Sequence, residues 1–485
     1  MFLLLYSSPR KVPAALRLIV FSLTIIFFLS FFLSIFFLEK AETKSKFWNK
    51  AEALYLIPTS PRWKPPAGRG REPGGKCSLP VVSIHTDASG LFGFEKGIYT
   101  MGNGFWDKDA YAGNMVSAAT KWWTLPANYQ MRGMNYERQA EIVFFDSGTS
   151  DPVPAGIRIH GDATRAFPQK SLRIHFRKKY GKKPFYRQLF PDDTASPFSA
   201  LVLRNSGNDW DRSLIRDALG HSLVQHLRLD SKNYRPVVVE INGEYWGIHQ
   251  FCNYQDEDFL ASRHNLDAKR ILIFDGSGAV RNGRVEDEKQ LSNMFSFFRK
   301  TDMKVKENYD SAARIIDLDN YIDYIIAEVY CANADWPYAN EILWKYAGKG
   351  GDGDHYSDGR WRWMITDLDL GFGFNTRSSY GRNMINELIA GDSPEVIFRS
   401  LSGNEGFRKI FTERFNELLN TLFHPDTVCN KIESMKLSLA PEIPYHITRW
   451  RKPLSEEKWQ EEIDLLYEFA RKRPEFIRSQ LEVME

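Results

Sequence analysis

Apolar and polar residues alternate through Ile157-Arg158-Ile159-His160 and again through Lys170-Ser171-Leu172-Arg173-Ile174-His175-Phe176, a period of two that predicts strands with one buried face. The connection, Gly161-Asp162-Ala163-Thr164-Arg165-Ala166-Phe167-Pro168-Gln169, reads as a polar loop. Upstream, Leu79 to Ile84 and Ala140 to Phe145 carry strand-like runs separated by Gly, Asn and Asp turns. Downstream, Arg235 to Ile241 and Glu244 to Phe251 flank Asn242-Gly243, the residue pair that suits both positive-φ positions of a type I′ hairpin. The period then changes. Ile215, Ala218, Leu219, Leu223 and Leu227 follow helical spacing, with Asp211 as the expected N-cap; Arg216 and Asp217 could pair with active-site groups, but a solvated helix face is the favoured reading. A second helix, marked by Ile322, Ile325, Ile326, Val329 and Tyr330, runs into Asn333 to Asn340, where Pro337 keeps the chain in a loop. Ile342 to Tyr346 and Trp361 to Thr366 read as two further strands.

This order predicts an α+β chain, β-rich first and mainly helical afterwards. The expected boundaries are a short basic tail at 1–17, a transmembrane anchor at 18–38, a stalk and Pro/Gly linker at 39–78, a β-rich module at 79–150, a second β-rich unit at 151–255 and a helical unit at 256–485. The anchor rests on Leu18 to Leu38, uncharged and apolar except for Ser22, Thr24, Ser30 and Ser34, a run that as a helix reaches roughly 30 Å. A cleaved signal is the alternative, although Phe36-Phe37-Leu38-Glu39 lacks a small-residue cleavage pattern. Basic residues flank the run on both sides. A short tail that stays inside places the remainder of a single-pass membrane protein outside the cytoplasm.

Composition narrows the function classes. With 64 basic against 61 acidic residues and 43% hydrophobic content, the chain is globular and nearly neutral. No strongly basic block follows the first 76 residues, so nothing points to a nucleic-acid partner. Cys77, Cys252, Cys331 and Cys429 are far apart and form no Cys-x-x-Cys pair, which gives no support to a zinc or thioredoxin-like motif.

Candidate chemistry lies in three places. Lys170 shares the apolar face of its strand with Leu172, Ile174 and Phe176; its ammonium either reaches out to water or holds an anion such as a nucleotide phosphate, with the Gly161-containing loop lying over it. Asp335 and Asn340 stand five residues apart on a loop. Asp367 and Asp369 keep one parity if the chain stays extended, so their carboxylates face the same way. Oxygen ligands of this kind suit Mg²⁺, with phosphate and water completing its shell. Phosphoryl transfer asks the protein for positioning and charge neutralisation. On that reading Lys170 and Asp335 are catalytic, Asp335 orienting the acceptor hydroxyl, and Asn340, Asp367 and Asp369 hold metal. Taken singly, Asp335, Asn340, Asp367 and Asp369 are better explained by turn or loop capping, and only their order after the lysine strand lifts the joint reading.

The stretch Gly156 to Arg173, the Ile241-Asn242-Gly243-Glu244-Tyr245-Trp246-Gly247 run and Ile365-Thr366-Asp367-Leu368-Asp369-Leu370-Gly371-Phe372-Gly373 together resemble the CotH (spore-coat protein H) kinase family over roughly residues 79 to 480. The resemblance implies a bilobal, atypical protein-kinase-like fold in which 151–255 is the N-lobe and 256–485 the C-lobe. It implies ATP and Mg²⁺ or Mn²⁺ as cofactors, and a protein hydroxyl as acceptor, at the cell surface or in the secretory route. Lys170, Arg165 and Gly161 become candidates for nucleotide contact. The pattern departs from ordinary protein kinases: no Gly-x-Gly-x-x-Gly loop is present, Asn333-Ala334-Asp335 stands where His-Arg-Asp would be, and Asp-Leu-Asp replaces Asp-Phe-Gly. Two other readings stay open at this stage, a surface or coat-assembly binding protein without catalysis and a different ATP-dependent modification on a kinase-like scaffold.

Overall fold

The structure is a computed structural model that describes residues 78–102, 122–145, 151–181, 185, 188–190, 198–348, 355–391 and 394–484. Seven strands close into a barrel in the order β1-β2-β3-β4-β5-β7-β6: β1 (Val81–Thr86), β2 (Arg138–Phe145), β3 (Val153–His160), β4 (Ser171–His175), β5 (Ala200–Arg204), β6 (Tyr234–Ile241) and β7 (Glu244–Asn253). Every pairing is antiparallel except the closing one, where β1 runs parallel to β6 with Val81 opposite Val238 and Ile84 opposite Ile241. Closure removes the two open edges that such a sheet would otherwise expose.

The alternation predicts which side is inside. Ile84, Ile142, Ile157, Leu172, Ile174, Leu203 and Val238 are buried in one core, each such side chain contributing about 1.5–3 kcal/mol. β6 and β7 meet through Asn242 (φ 52°) and Gly243 (φ 81°), both in the left-handed region that this two-residue turn demands. Trp246 of β7 joins the barrel to the segments around Tyr99 and Trp450. Its carbonyl accepts from Trp450 Nε1 at 2.9 Å, and its own indole N–H donates to Tyr99 Oη at 2.9 Å.

The remainder is built around helices. Among them, α1 (Arg216–Val224) packs under the barrel and α2 (Glu257–His264) follows β7, while α3 (Leu318–Cys331) is buried almost all round. The long C-terminal helix α4 (Glu456–Leu481) returns to the barrel half, where Trp459 Nε1 donates to Ser213 O at 2.9 Å and Glu462 pairs with Arg216 at 2.7 Å. A second sheet, ordered β11-β10-β8-β9, joins β8 (Ile271–Asp275), β9 (Val280–Asn282), β10 (Ile342–Tyr346) and β11 (Arg362–Met364).

Two parts of the expected fold need correction. The architecture is α+β with a closed seven-stranded barrel and a helical C-terminal region; strands from both 79–150 and 151–255 belong to the one barrel, so it replaces the separate β-rich lobe of a two-lobed kinase-like fold. The transmembrane helix is also withdrawn, and with it the single-pass membrane localisation. Residues 18–38 lie outside the described residues, and among the described residues no helix is long and apolar enough to cross a membrane. The expected cap of α1 shifts as well. Asp209, not Asp211, accepts from the backbone N–H of Ser213 and of Arg216, both at 3.1 Å, whereas Asp211 pairs at 3.3 Å with Lys452. Cys252, Cys331 and Cys429 are free thiols.

Candidate functional site

Arg204, the last residue of β5, organises the densest charge cluster at the junction of barrel and helices. Its Nη2 donates to Asp367 Oδ1 and to Asp369 Oδ2, each at 2.8 Å, and its Nε lies 2.9 Å from Asp217 Oδ2 on α1. The side chain is buried, which alone would lower its pKa. The Asp367, Asp217 and Asp369 carboxylates override that effect and hold it well above the ordinary value.

Each aspartate is held differently. Asp217 also accepts from Tyr234 Oη and, at 2.8 Å, from the backbone N–H of Leu368, so α1 and the Asp367–Asp369 segment are tied directly. Burial pushes its pKa up, but Arg204, Lys232 and His221 outweigh burial and the carboxyl is held low. Asp369 is buried and accepts from Asn208 N at 2.8 Å and Asn208 Nδ2 at 3.0 Å as well as from Arg204. Burial, with repulsion from Asp367, pushes its pKa well above the usual carboxylate range. The close approach needs Gly207 (φ 63°), since a Cβ there would meet Asp369 Oδ2 at 1.9 Å. Asp367 keeps a side chain that is 27% exposed. Its Oδ1 takes Arg204; Oδ2 makes no hydrogen bond to a described residue.

The facing wall comes from the loop after α3. Ala332 (φ 49°) ends the helix in the left-handed conformation, its N–H donating to Val329 O at 3.1 Å. Asn333 is then fully buried, and its Nδ2 donates to Glu328 Oε2 at 2.9 Å and to Asp367 O at 3.0 Å. Its Oδ1 accepts from Asp335 N at 3.4 Å. One amide therefore braces both acidic loops. Asp335 is half-buried, and burial together with the Asp367 charge raises its pKa, so the two carboxylates sense one another. Asn340 (φ 63°) donates from Nδ2 to Asp335 Oδ2 at 3.3 Å, and its carbonyl accepts from Thr366 Oγ1 at 2.7 Å.

The sequence-predicted residues thus divide. Asp335, Asn340, Asp367 and Asp369 come together. Lys170, Arg165 and Gly161 lie within the β3–β4 loop, where Gln169 and Ser171 bond to Asn205 next to Arg204, and the side chains of Lys170 and Arg165 make no hydrogen bond to the Arg204 cluster. Lys170 is buried, donates from Nζ to Arg165 O at 2.7 Å and Phe167 O at 2.8 Å, and lies over the Tyr129 ring at 4.1 Å. No carboxylate among the described residues pairs with it. Burial, then the Arg165 charge, lowers its pKa well below the usual lysine value. Arg165 is buried rather than exposed, its guanidinium taken by the carbonyls of Tyr129 (2.8 Å), Ile159 (2.6 Å) and Met131 (2.8 Å). Gly161 (φ 102°) supplies the turn.

Sequence reasoning missed Arg204, Asn208 and Asn333 and misread Asp217. A signal existed for Arg204, a charge closing the otherwise apolar Ala200-Leu201-Val202-Leu203 strand, but two of its three partners, Asp367 and Asp369, lie more than a hundred residues away. Among the described residues no group of three His, Cys, Asp or Glu side chains is arranged to hold a metal ion. The donor set that does converge is mixed: the partly exposed carboxylates of Asp335 and Asp367 with the amide of Asn340. These are hard oxygens with room left for water and phosphate, which fits Mg²⁺. Asp369 fits poorly, because Arg204 and Asn208 engage both of its oxygens.

No curated protein matches the chain. The family described as CotH kinase protein matches residues 157–477, from β3 through most of α4 and across every residue of this cluster. The chain therefore belongs to the CotH kinase protein family.

Proposed function

We propose that the chain is a phosphotransferase that moves the terminal phosphoryl group of ATP to a hydroxyl on a protein substrate, working at the Arg204–Asp217–Asp335–Asp367 cluster. The observation that carries this reading is the grip of a barrel arginine on the Asp367–Asp369 segment, directly opposite a half-buried Asp335. When bound, ATP would supply the phosphoryl group and Mg²⁺ or Mn²⁺ would screen its charge. Asp367 and Asn340 are the residues suited to hold that ion.

The chain's own residues do the rest. Asp335 orients the acceptor hydroxyl and takes up its proton; a carboxylate whose pKa is raised by burial and by Asp367 is a better base than a solvated one. Asn333 fixes the spacing of Asp335 and Asp367 through one buried amide. Arg204 keeps Asp367 and Asp369 from repelling each other apart, with its own position set by Asp217. Its planar guanidinium presents donors in a rigid fork that fixes the relative positions of the carboxylates it serves, whereas an ammonium's three donors rotate on a flexible stem. Lys170 and Arg165 shape the β3–β4 loop and are assigned no contact with phosphate.

Incubating the chain with terminally labelled ATP and Mg²⁺ or Mn²⁺, with itself and a mixed protein pool as acceptors, tests the reading. Mass spectrometry should find one phosphate added at Ser, Thr or Tyr. A transferred nucleotide, or no metal-dependent turnover, would contradict it.

A further inference from the structure

The outer face of β3 and β4 carries more positive charge than it can balance. Inward positions hold Ile157, Ile159, Leu172 and Ile174, so the alternate positions Arg158, His160, Arg173 and His175 point outward. Arg158 lies directly opposite Arg173 in the ladder, an arrangement of like charges that destabilises a sheet unless something compensates it.

The local partners do not compensate. Arg158 donates from Nε to His175 Nε2 at 3.0 Å, and Arg177 Nη2 approaches His175 Nδ1 at 3.3 Å. A neutral imidazole has only one accepting nitrogen, so guanidinium donors on both sides cannot both be satisfied by it. His175 is nonetheless held neutral, first by burial and then by Arg158, Arg173 and Arg177. His160 is held neutral in the same way, first by burial and then by Arg173, Arg204 and Lys232. Arg173 lies over the Tyr254 ring at 3.8 Å, and its buried Nε makes no hydrogen bond to a described residue. The one carboxylate in the cluster among the described residues is Glu137. It is shared by Arg158 at 3.5 Å, Arg177 at 3.2 Å and Lys179 at 3.1 Å. The face remains reachable, since the side chains of Arg177 and Lys179 are 34% and 44% exposed.

We infer that this face docks an acidic, carboxylate-rich stretch of the protein substrate. The word substrate rests on the proposed phosphotransfer; the docking itself does not. The charges fit this occupant, because forked guanidinium groups address carboxylate and phosphate oxygens in pairs. Position fits as well. Arg173 pairs with Val202 on β5, two residues before Arg204, so this face adjoins the strand that ends at the carboxylate cluster.

The test is direct binding to the full chain, without nucleotide, of three fluorescent peptides that share one serine and differ in being Glu-rich, phosphoserine-containing or Gln-rich. The Glu-rich peptide should bind about tenfold or more tightly than the Gln-rich one; a preference shown by the phosphoserine peptide alone would overturn the inference in favour of a phosphorylated partner. The preference for the Glu-rich peptide should weaken severalfold as salt rises from about 50 to about 300 mM. The double variant R158Q/R173Q should lose most of the preference. R177Q, which changes a more exposed side chain, should lose part of it and serves if the double variant unfolds. Asp367→Asn should bind peptide like the parent, so loss of phosphotransfer and loss of docking are read separately. Equal affinity for all three peptides, unchanged binding by both arginine variants, or displacement of the peptide by ATP would overturn the inference; in the last case the face would belong to the nucleotide.

Discussion

Lys170 and Arg204 are both buried cations beside barrel strands, and their surroundings are opposite. Lys170 is surrounded by neutral partners, two loop carbonyls and the Tyr129 and Tyr99 rings, and its pKa is driven down by burial and by Arg165. Arg204 is surrounded by three carboxylates, and its pKa is driven up despite burial. The difference separates two jobs. A cation among carbonyl dipoles fixes backbone and leaves no charge behind when it is removed. A cation among carboxylates holds together groups that would otherwise repel, and its removal leaves buried negative charge. Chemistry that must gather acidic oxygens around one point therefore belongs to the Arg204 side.

The comparison would break most visibly if turnover did not depend on that side. Asp335→Asn is expected to lower the transfer rate by about 10²–10⁴-fold, as for loss of a positioned base, whereas Lys170→Met should leave the dependence on ATP concentration unchanged. Steady-state kinetics on both variants check this. Next in size is Arg204→Met, expected to cost about 3–5 kcal/mol of stability, because breaking one side of a buried ion cluster strands the other. Urea denaturation gives the value. A smaller loss, about 1–3 kcal/mol, is expected for Lys170→Met, where two buried carbonyls lose their donor; the ranking of the two variants matters more than either figure.

The smallest effect concerns Glu328, which braces Asn333. Burial, reinforced by Asp367, Glu341 and Asp217, pushes its pKa up to about 8, while the unfolded chain returns it to about 4.3. Between those values the folded chain keeps a proton that the unfolded chain has released. This contribution to stability is therefore fully present below about pH 4.3 and is lost as pH rises through about 8. Glu328→Gln cannot ionise, so its urea midpoint should fall less than the parent's between pH 5 and pH 8.

Much of the fold was legible because strands have a strict period and few turns suit Asn-Gly. Alternation marked β3, β4 and the β6–β7 hairpin, and the bounds of Ile342–Tyr346 match the expected strand. Barrel closure was not legible, since it depends on Val81 to Ile84 pairing with Val238 to Ile241, across more than a hundred and fifty residues. Shared parity made Asp367 and Asp369 readable as a pair. Asp217 was misread because α1 looks amphipathic in sequence but lies buried on nearly all sides, leaving no solvated face for a charge. For Lys170 the strand position is visible in the sequence, whereas the carbonyls that take its ammonium, those of Arg165 and Phe167, are not. The anchor at 18–38 lies outside the described residues.

The account stands or falls on Asp367, the most exposed carboxylate held by Arg204. Labelled-phosphate transfer from ATP, measured for the parent and for Asp367→Asn at matched folded concentration, is the most direct test. A loss of about a hundredfold or more with an unchanged unfolding midpoint is the predicted result. Equal transfer by the two proteins would contradict the central claim that this cluster is where the phosphoryl group moves.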